Sequence, residues 1–247
     1  MESEIITREC ATLGELAMCV DLQRSVFALP EVELSPVRHL VVTINAGGFV
    51  LGAFSDSELV GFVLSVPAFL RGERAFYSHM TAVRQDFQSF GIGARLKWAQ
   101  RERSLKEGVK VVKWTFEPGK ARNAHFNLEK LGAVVTDYQR NFYGTDYSTS
   151  ASSGKKIGLD SDRLFAEWQL ESDKVTALAE DRAYASSCEP AASICVPDDW
   201  NTLVENKPET AVNELKRLRS EFKKAFIGKL ICRRFRRDDN SYLLYRD

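Results

Sequence analysis

The stretch Val83-Arg84-Gln85-Asp86-Phe87-Gln88-Ser89-Phe90-Gly91-Ile92-Gly93-Ala94 leaves a strand-like run and opens a run with helical spacing, with two glycines at the junction. A strand that passes straight into a helix gathers free backbone N–H groups and the positive end of the helix dipole at one point. Such a point binds phosphate. Glycines at 91 and 93 let the main chain approach a pyrophosphate with no side chain between them. The spacing also excludes two common architectures. A dinucleotide-binding βαβ unit requires a third glycine where Leu96 stands, and a P-loop requires Gly-Lys-Ser/Thr, which is absent.

Before this junction the apolar residues alternate with a period of two. Residues 49–54 and 59–69 flank the turn Ser55-Asp56-Ser57-Glu58 and predict an antiparallel hairpin, extended by a strand at 75–83. Upstream, a strand at 5–8 leads into Thr12-Leu13-Gly14-Glu15, a capping box that starts a helix running to about residue 27. Its stripe is Leu16, Cys19, Val20, Gln23 and Phe27. Ser35-Pro36 opens a second helix that stops at Gly47-Gly48. Downstream the pattern predicts a helix at 91–108, a strand at 109–116, a helix at 121–131 and a strand at 134–143. Antiparallel strands followed by a β-α-β crossover make the class α+β.

Composition narrows the partners. At 247 residues, 44% hydrophobic and 28% charged, the chain is globular throughout and longer than one average domain. Lys+Arg and Asp+Glu number 34 each, which excludes a chain that binds polyanions along its whole length. Cys10, Cys19, Cys188, Cys195 and Cys232 show no C-x-x-C, so they are read as buried small hydrophobes in a reducing cytoplasm. His39 and His125 stand at no ligand spacing, and no metal is expected. An acidic start and the lack of any long apolar run predict a soluble chain that is neither exported nor membrane-spanning.

Gln88-x-x-Gly91-x-Gly93-Ala94, after a strand ending in Val83, resembles the Gln/Arg-x-x-Gly-x-Gly/Ala signature of the GNAT superfamily of acyl-CoA-dependent N-acyltransferases. Trp114-Thr115-Phe116-Glu117-Pro118, Arg122-Asn123-Ala124-His125-Phe126-Asn127, Leu131-Gly132-Ala133, Tyr143-Gly144 and Asp162-Arg163-Leu164 with Trp168 resemble one little-characterised bacterial branch of it. The resemblance implies a mostly antiparallel central sheet flanked by helices over residues 1–147. A linker at 148–160 and a C-terminal α+β extension at 161–247, resembling a partial second lobe, would follow. It further implies that backbone N–H groups of Gln88, Ser89, Phe90, Gly91, Ile92, Gly93 and Ala94 hold the pyrophosphate of coenzyme A. Thr81, Ala82 and Val83 would pair with the pantetheine arm, and one N–H there would polarise the thioester carbonyl. Asn123, Phe126 and Asn127, on the helix after the next strand, would close the other side of the cofactor.

An amine is mostly protonated at neutral pH and attacks only after losing that proton, so a base or a water chain is needed. His79 is the candidate, four residues before Val83 and, by strand alternation, on one face with Tyr77, Thr81 and Val83. The family's usual acid is a tyrosine three residues before the Leu-Gly pair, where this chain has Leu128. Tyr138 and Tyr143 on the next strand are the alternative acids, and water is another. The co-substrate so implied is acetyl-CoA, with succinyl-CoA as a second option, and the acceptor is a small-molecule primary amine, amino acids included. The departure at Leu128 keeps a second reading open, a catalytically weak acyl-CoA-binding protein with a regulatory or interaction role. Oligomeric state is not legible.

Beyond the polar stretch 148–156, the sequence predicts strands at 163–170 and 193–196, a helix at 208–226 and two strands around Asp238-Asp239-Asn240. Residues 207–237 hold 11 Lys/Arg against 3 Asp/Glu, and the remainder 23 against 31. Neutrality is therefore a sum of two opposed regions. Leu215, Leu218, Phe222, Ala225 and Phe226 form a helical stripe, so the cations read as the solvated face of a helix docked on an acidic N-terminal domain, and no nucleic acid is expected. Asp162 and Arg163 read as an ion pair or turn, and Trp114 and Trp168 as core.

Overall fold

A computed structural model describes residues 4–147, 156–185 and 188–246. The chain forms two compact units, Met1–Lys113 and Trp114–Asp247. The sequence places its linker at 148–160 instead; residues 156–160 belong to the second unit, and 148–155 lie outside the described residues.

In the first unit, β1 (Ile5–Glu9), α1 (Leu13–Phe27) and α2 (Val37–Asn45) precede the hairpin strands β2 (Phe49–Ser55) and β3 (Glu58–Leu70). β4 (Glu73–Val83), α3 (Ile92–Lys106) and β5 (Val111–Phe116) follow, the division between units falling inside β5. β1 to β4 pair antiparallel in chain order, and β4 meets the start of β5 in parallel at Phe76–Val112 and Tyr77–Lys113. The capping box forms at α1: Glu15 N–H donates to Thr12 Oγ1 at 3.2 Å and Thr12 N–H donates to Glu15 Oε2 at 3.1 Å. Leu16, Cys19 and Leu22 of α1 and Leu40 of α2 bury against Phe54, Phe62 and Leu64 of the sheet. Each such side chain contributes about 1.5–3 kcal/mol on leaving water, which fixes these helices on that face.

The second unit contains α4 (Ala121–His125), which continues as a π-helical turn over Phe126–Lys130. β6 (Val134–Gln139), β7 (Arg163–Gln169), α5 (Asp173–Ala179), β8 (Ala192–Cys195), α6 (Trp200–Asn206), α7 (Pro208–Ile227), β9 (Leu230–Arg236) and β10 (Ser241–Arg246) complete it. The strands run antiparallel in the order β7-β6-β9-β10-β8. α7 buries Leu215, Leu218, Phe222 and Ala225 of the predicted stripe and Ala211 besides, while Phe226 is half-buried. Its cations are less solvated than expected. Arg219 pairs with Asp160 at 2.8 Å and Asp162 at 2.7 Å, and Arg217 pairs with Glu214 and Glu221. On β9, Arg234 pairs with Glu129 at 3.0 Å.

Other differences from the sequence reading have local causes. The strand predicted at 134–143 ends at Gln139, because Asn141 and Gly144 turn the chain in the left-handed region at φ 50° and 96°. The helices α5 and α6 are absent from that reading. Cys10, Cys19 and Cys232 are buried as expected of small hydrophobes, whereas Cys188 and Cys195 are exposed. No described helix is long and apolar enough to cross a membrane.

Candidate active site

In the first unit the predicted phosphate loop joins β4 to α3 as a single local construction. Gln88 Nε2 donates to the carbonyl of Val83 at 3.0 Å, tying the loop back to the end of β4. Ser89 and Gly91 turn through φ 72° and 77°, and Gly91 is the cap residue of α3. No side chain caps that helix start, so the N–H groups of its first turn point outward without a helical partner. A Cβ on Gly91 would meet open space, and one on Gly93 only Val83 Cγ2 at 3.9 Å. Gly91 is required by its backbone conformation, and Gly93 keeps the approach bare. These features fit a phosphate group.

β4 is not a regular strand. Its register with β3 passes from Leu64↔Met80 to Ser65↔Ser78, so His79 is the extra residue of a β-bulge. The bulge corrects the alternation argument for His79. Val83 lies beside Gly93 of α3, whereas the His79 ring lies 6.5 Å from that of His39 on α2, edge to face. His79 is solvent-exposed, and surrounding protein together with the His39 imidazole lowers its pKa from the usual histidine value. Both effects favour the neutral imidazole. Thr81 and Val83 are half-buried and Ala82 is buried, and within this unit residues 81–83 pair with β3 alone.

The second unit holds Asn123, Phe126 and Asn127 on one helical segment, with Asn123 exposed, Phe126 half-buried and Asn127 buried. The sequence predicts one helix there, but the segment changes from α to π at Phe126. A π turn releases carbonyls from their usual donors, and elements far along the chain supply new ones. Lys174 Nζ donates to Leu128 O at 2.7 Å and to Arg233 O at 2.8 Å, and Trp168 Nε1 donates to Leu131 O at 2.6 Å. Glu129 accepts from Arg234 and from the N–H of Phe235 at 2.8 Å. Burial lowers Lys174 to about 8 although Glu129 opposes the shift. Residues 168–235 thus fasten the segment that carries Asn123, Phe126 and Asn127.

The two tyrosine candidates separate. Tyr138 is buried, its hydroxyl donates to Asp162 Oδ2 at 2.5 Å, and burial followed by that bond pushes its pKa well up. Asp162 also accepts from Arg219 and from the N–H of Asn141 at 2.9 Å, so this phenol is bound into a structural ion-pair network. Tyr143 lies in a turn beyond β6 with 37% of its surface exposed. Its hydroxyl is 3.4 Å from Thr115 Oγ1, its ring stacks on Tyr147, and the Arg163 guanidinium lies 5.1 Å from its centroid. Arg163 also pairs with Glu117 at 3.3 Å. Leu128, at the usual acid position, is fully buried. Trp114 and Trp168 pack edge to face in the core, and Gly119 lies so close under Trp200 that a Cβ would clash at 2.4 Å. The Trp-Thr-Phe-Glu-Pro-Gly stretch is thereby built into packing.

A family model described as the acetyltransferase (GNAT) family matches residues 18–133, spanning β4, the loop and the segment with Asn123 to Asn127. The chain carries a GNAT acetyltransferase domain. Solved structures share the fold. The ribosomal-protein-S18-alanine N-acetyltransferase of Escherichia coli matches with TM-score 0.51 at 14% identity, over 75% of this chain and 99% of its own. The ribosomal-protein-alanine N-acetyltransferase of Brucella melitensis matches with TM-score 0.51 at 22% identity, over 66% and 98%. An aminoglycoside 6'-acetyltransferase type Ii matches with TM-score 0.52 at 17% identity, over 68% and 98%. No curated protein matches the sequence.

Proposed function

We propose that the protein transfers an acyl group, acetyl by default, from acyl-CoA to a primary amine of a small molecule, amino acids being the first acceptors to examine. The observation that carries this reading is the uncapped start of α3 at Gly91, tied by Gln88 to the end of the bulged strand β4. The N–H groups of 88–94 would hold the pyrophosphate and residues 81–83 the pantetheine arm. His79, kept neutral by the surrounding protein and by His39, would take the proton of the attacking ammonium. The amine attacks the thioester carbonyl, a backbone N–H near the end of β4 stabilises the oxyanion, and collapse expels the thiolate. Tyr143 rather than Tyr138 would return a proton to sulfur, since the Tyr138 hydroxyl is committed to Asp162. The structural neighbours named for ribosomal-protein alanine and for an aminoglycoside differ in acceptor, so the fold leaves the acceptor class to experiment.

A second reading, a slow acyl-CoA-binding protein, draws on buried Leu128, which removes the usual phenol. Thiolates have pKa about 8.5 and leave without an acid, so the loss need not stop turnover. A panel of acetyl-CoA and succinyl-CoA against amino acids and polyamines, read by release of free thiol, separates the two. Amine-dependent release that falls about 10²–10⁴-fold in His79→Ala supports the enzyme. Stabilisation by acyl-CoA with no amine-dependent release supports the binder.

A further inference from the structure

Four buried polar side chains of the first unit, with Ser104 bonded to the main chain beside them, form a chain of hydrogen bonds that grips the β4 bulge from both strands. Lys97 Nζ donates to Ser78 Oγ at 3.1 Å and to Gln100 Oε1 at 2.7 Å. Gln100 Nε2 donates to Ser65 Oγ at 2.7 Å, and Ser104 Oγ donates to Gln100 O at 2.7 Å. All five residues have 5% or less of their surface exposed. Ser65 and Ser78 are the cross-strand pair flanking the bulge, and the next residue on β4 is His79. Ser78 reaches Lys97 on α3, whereas Met80, two residues on, packs into the apolar cluster with α1 and α2. A regular strand would put both on one face.

A one-residue slip of a strand sends every later side chain to the opposite face. Met80 and Ala82 resist that slip by apolar burial on one side of the sheet, and the polar chain resists it on the other. We propose that Lys97, Gln100, Ser65 and Ser78 are a clamp that fixes the register of β4 at the bulge. By doing so they position His79 and the backbone beyond it for acyl transfer. Lys97 is a positioning residue, since it acts through Ser78. This inference rests on the reading of His79 as the base. Burying an ammonium opposes folding, and burial lowers Lys97 to about 7, which reduces that cost at neutral pH.

The test compares Lys97→Met and Ser65→Ala with the wild-type protein in acetyl-CoA affinity, in kcat with the fastest acceptor of the amine panel, and in amide exchange at His79 and Met80. The clamp predicts a Kd within about threefold, a kcat at least about tenfold lower in Lys97→Met and about threefold lower in Ser65→Ala. Exchange at His79 should be about tenfold faster or more. Unchanged kcat or unchanged exchange in a folded variant overturns it, as does a Kd that weakens in step with kcat. If Lys97→Met does not fold, Ser65→Ala, which removes one hydroxyl, decides. If the wild-type protein releases no thiol with any amine, the proposed reaction fails, and exchange at His79 alone judges the clamp.

Discussion

Lys97 in the first unit and Lys174 in the second each bring an ammonium into protein, but they spend it on different acceptors. Lys97 bonds to side-chain oxygens of Ser78 and Gln100, whereas Lys174 bonds to main-chain carbonyls of Leu128 and Arg233. Side-chain acceptors are elective, because a sequence can replace them with apolar groups. Carbonyls are obligatory, and those released by a π turn need a donor wherever they are buried. The difference teaches which lysine the fold depends on. Lys174 is part of the architecture of its segment, and Lys97 is an expense borne beside the bulge at His79.

The largest expected effect follows directly. Lys174→Met leaves two carbonyls without their donor and should cost about 2–4 kcal/mol in urea unfolding, at roughly 1–3 kcal/mol for each buried group left unsatisfied. Lys97→Met also strands two acceptors, on the Ser78 and Gln100 side chains, but these can turn to other partners and the variant removes a buried ammonium, so its loss should be smaller, about 0–2 kcal/mol. Equal losses in the two variants would break the comparison.

A smaller effect lies in pH. Both lysines titrate lower in the folded chain, at about 7 and about 8, than the value of 10.5 expected when unfolded. Above those values the unfolded chain holds protons that the native chain has shed, so stability rises with pH, by up to about 1.4 kcal/mol per unit for each lysine. The rise should be visible from pH 7 to about 8.5. Above the ordinary thiol value of 9.0 the rise flattens, and it reverses only at about pH 10, because burial raises Cys232, and a hydrogen bond to Cys10 followed by burial raises Cys19. Both then stay protonated in the native chain while the unfolded one ionises. Unfolding curves at half-unit steps check this, and Lys97→Met should remove the part of the slope that begins near pH 7.

The sequence carries local rules well and tertiary ones poorly. Thr12 with Glu15, the glycines at 91 and 93, and the stripe of α7 each announce their structure within a few residues, and the structure follows them. The strand alternation that placed His79 with Thr81 and Val83 fails because a bulge is decided by what packs on both faces of the strand, here Lys97 and the α1–α2 cluster. The π turn is hidden for the same reason, since its donors Trp168 and Lys174 lie about forty residues downstream. Tyr138 and Tyr143 look alike in sequence. Asp162 and Arg219 separate them, and no spacing rule connects residues so far apart. Lys97 has no local sign either, because its neighbours at helical spacing, Gly93, Gln100, Arg101 and Ser104, do not make an apolar face.

The central claim is that the turn at Gly91 and the start of α3 hold the pyrophosphate of acyl-CoA, and the most direct measurement is thermal unfolding with increasing acetyl-CoA. At a hundredfold excess over Kd the wild-type protein should gain about 2.7 kcal/mol, and the midpoint should rise by roughly 5–10 °C. In Gly91→Val, where a β-branched residue must adopt φ 77° at the mouth of the site, most of that ligand-dependent rise should vanish. No rise in the wild-type protein, or an equal rise in Gly91→Val, would contradict the account.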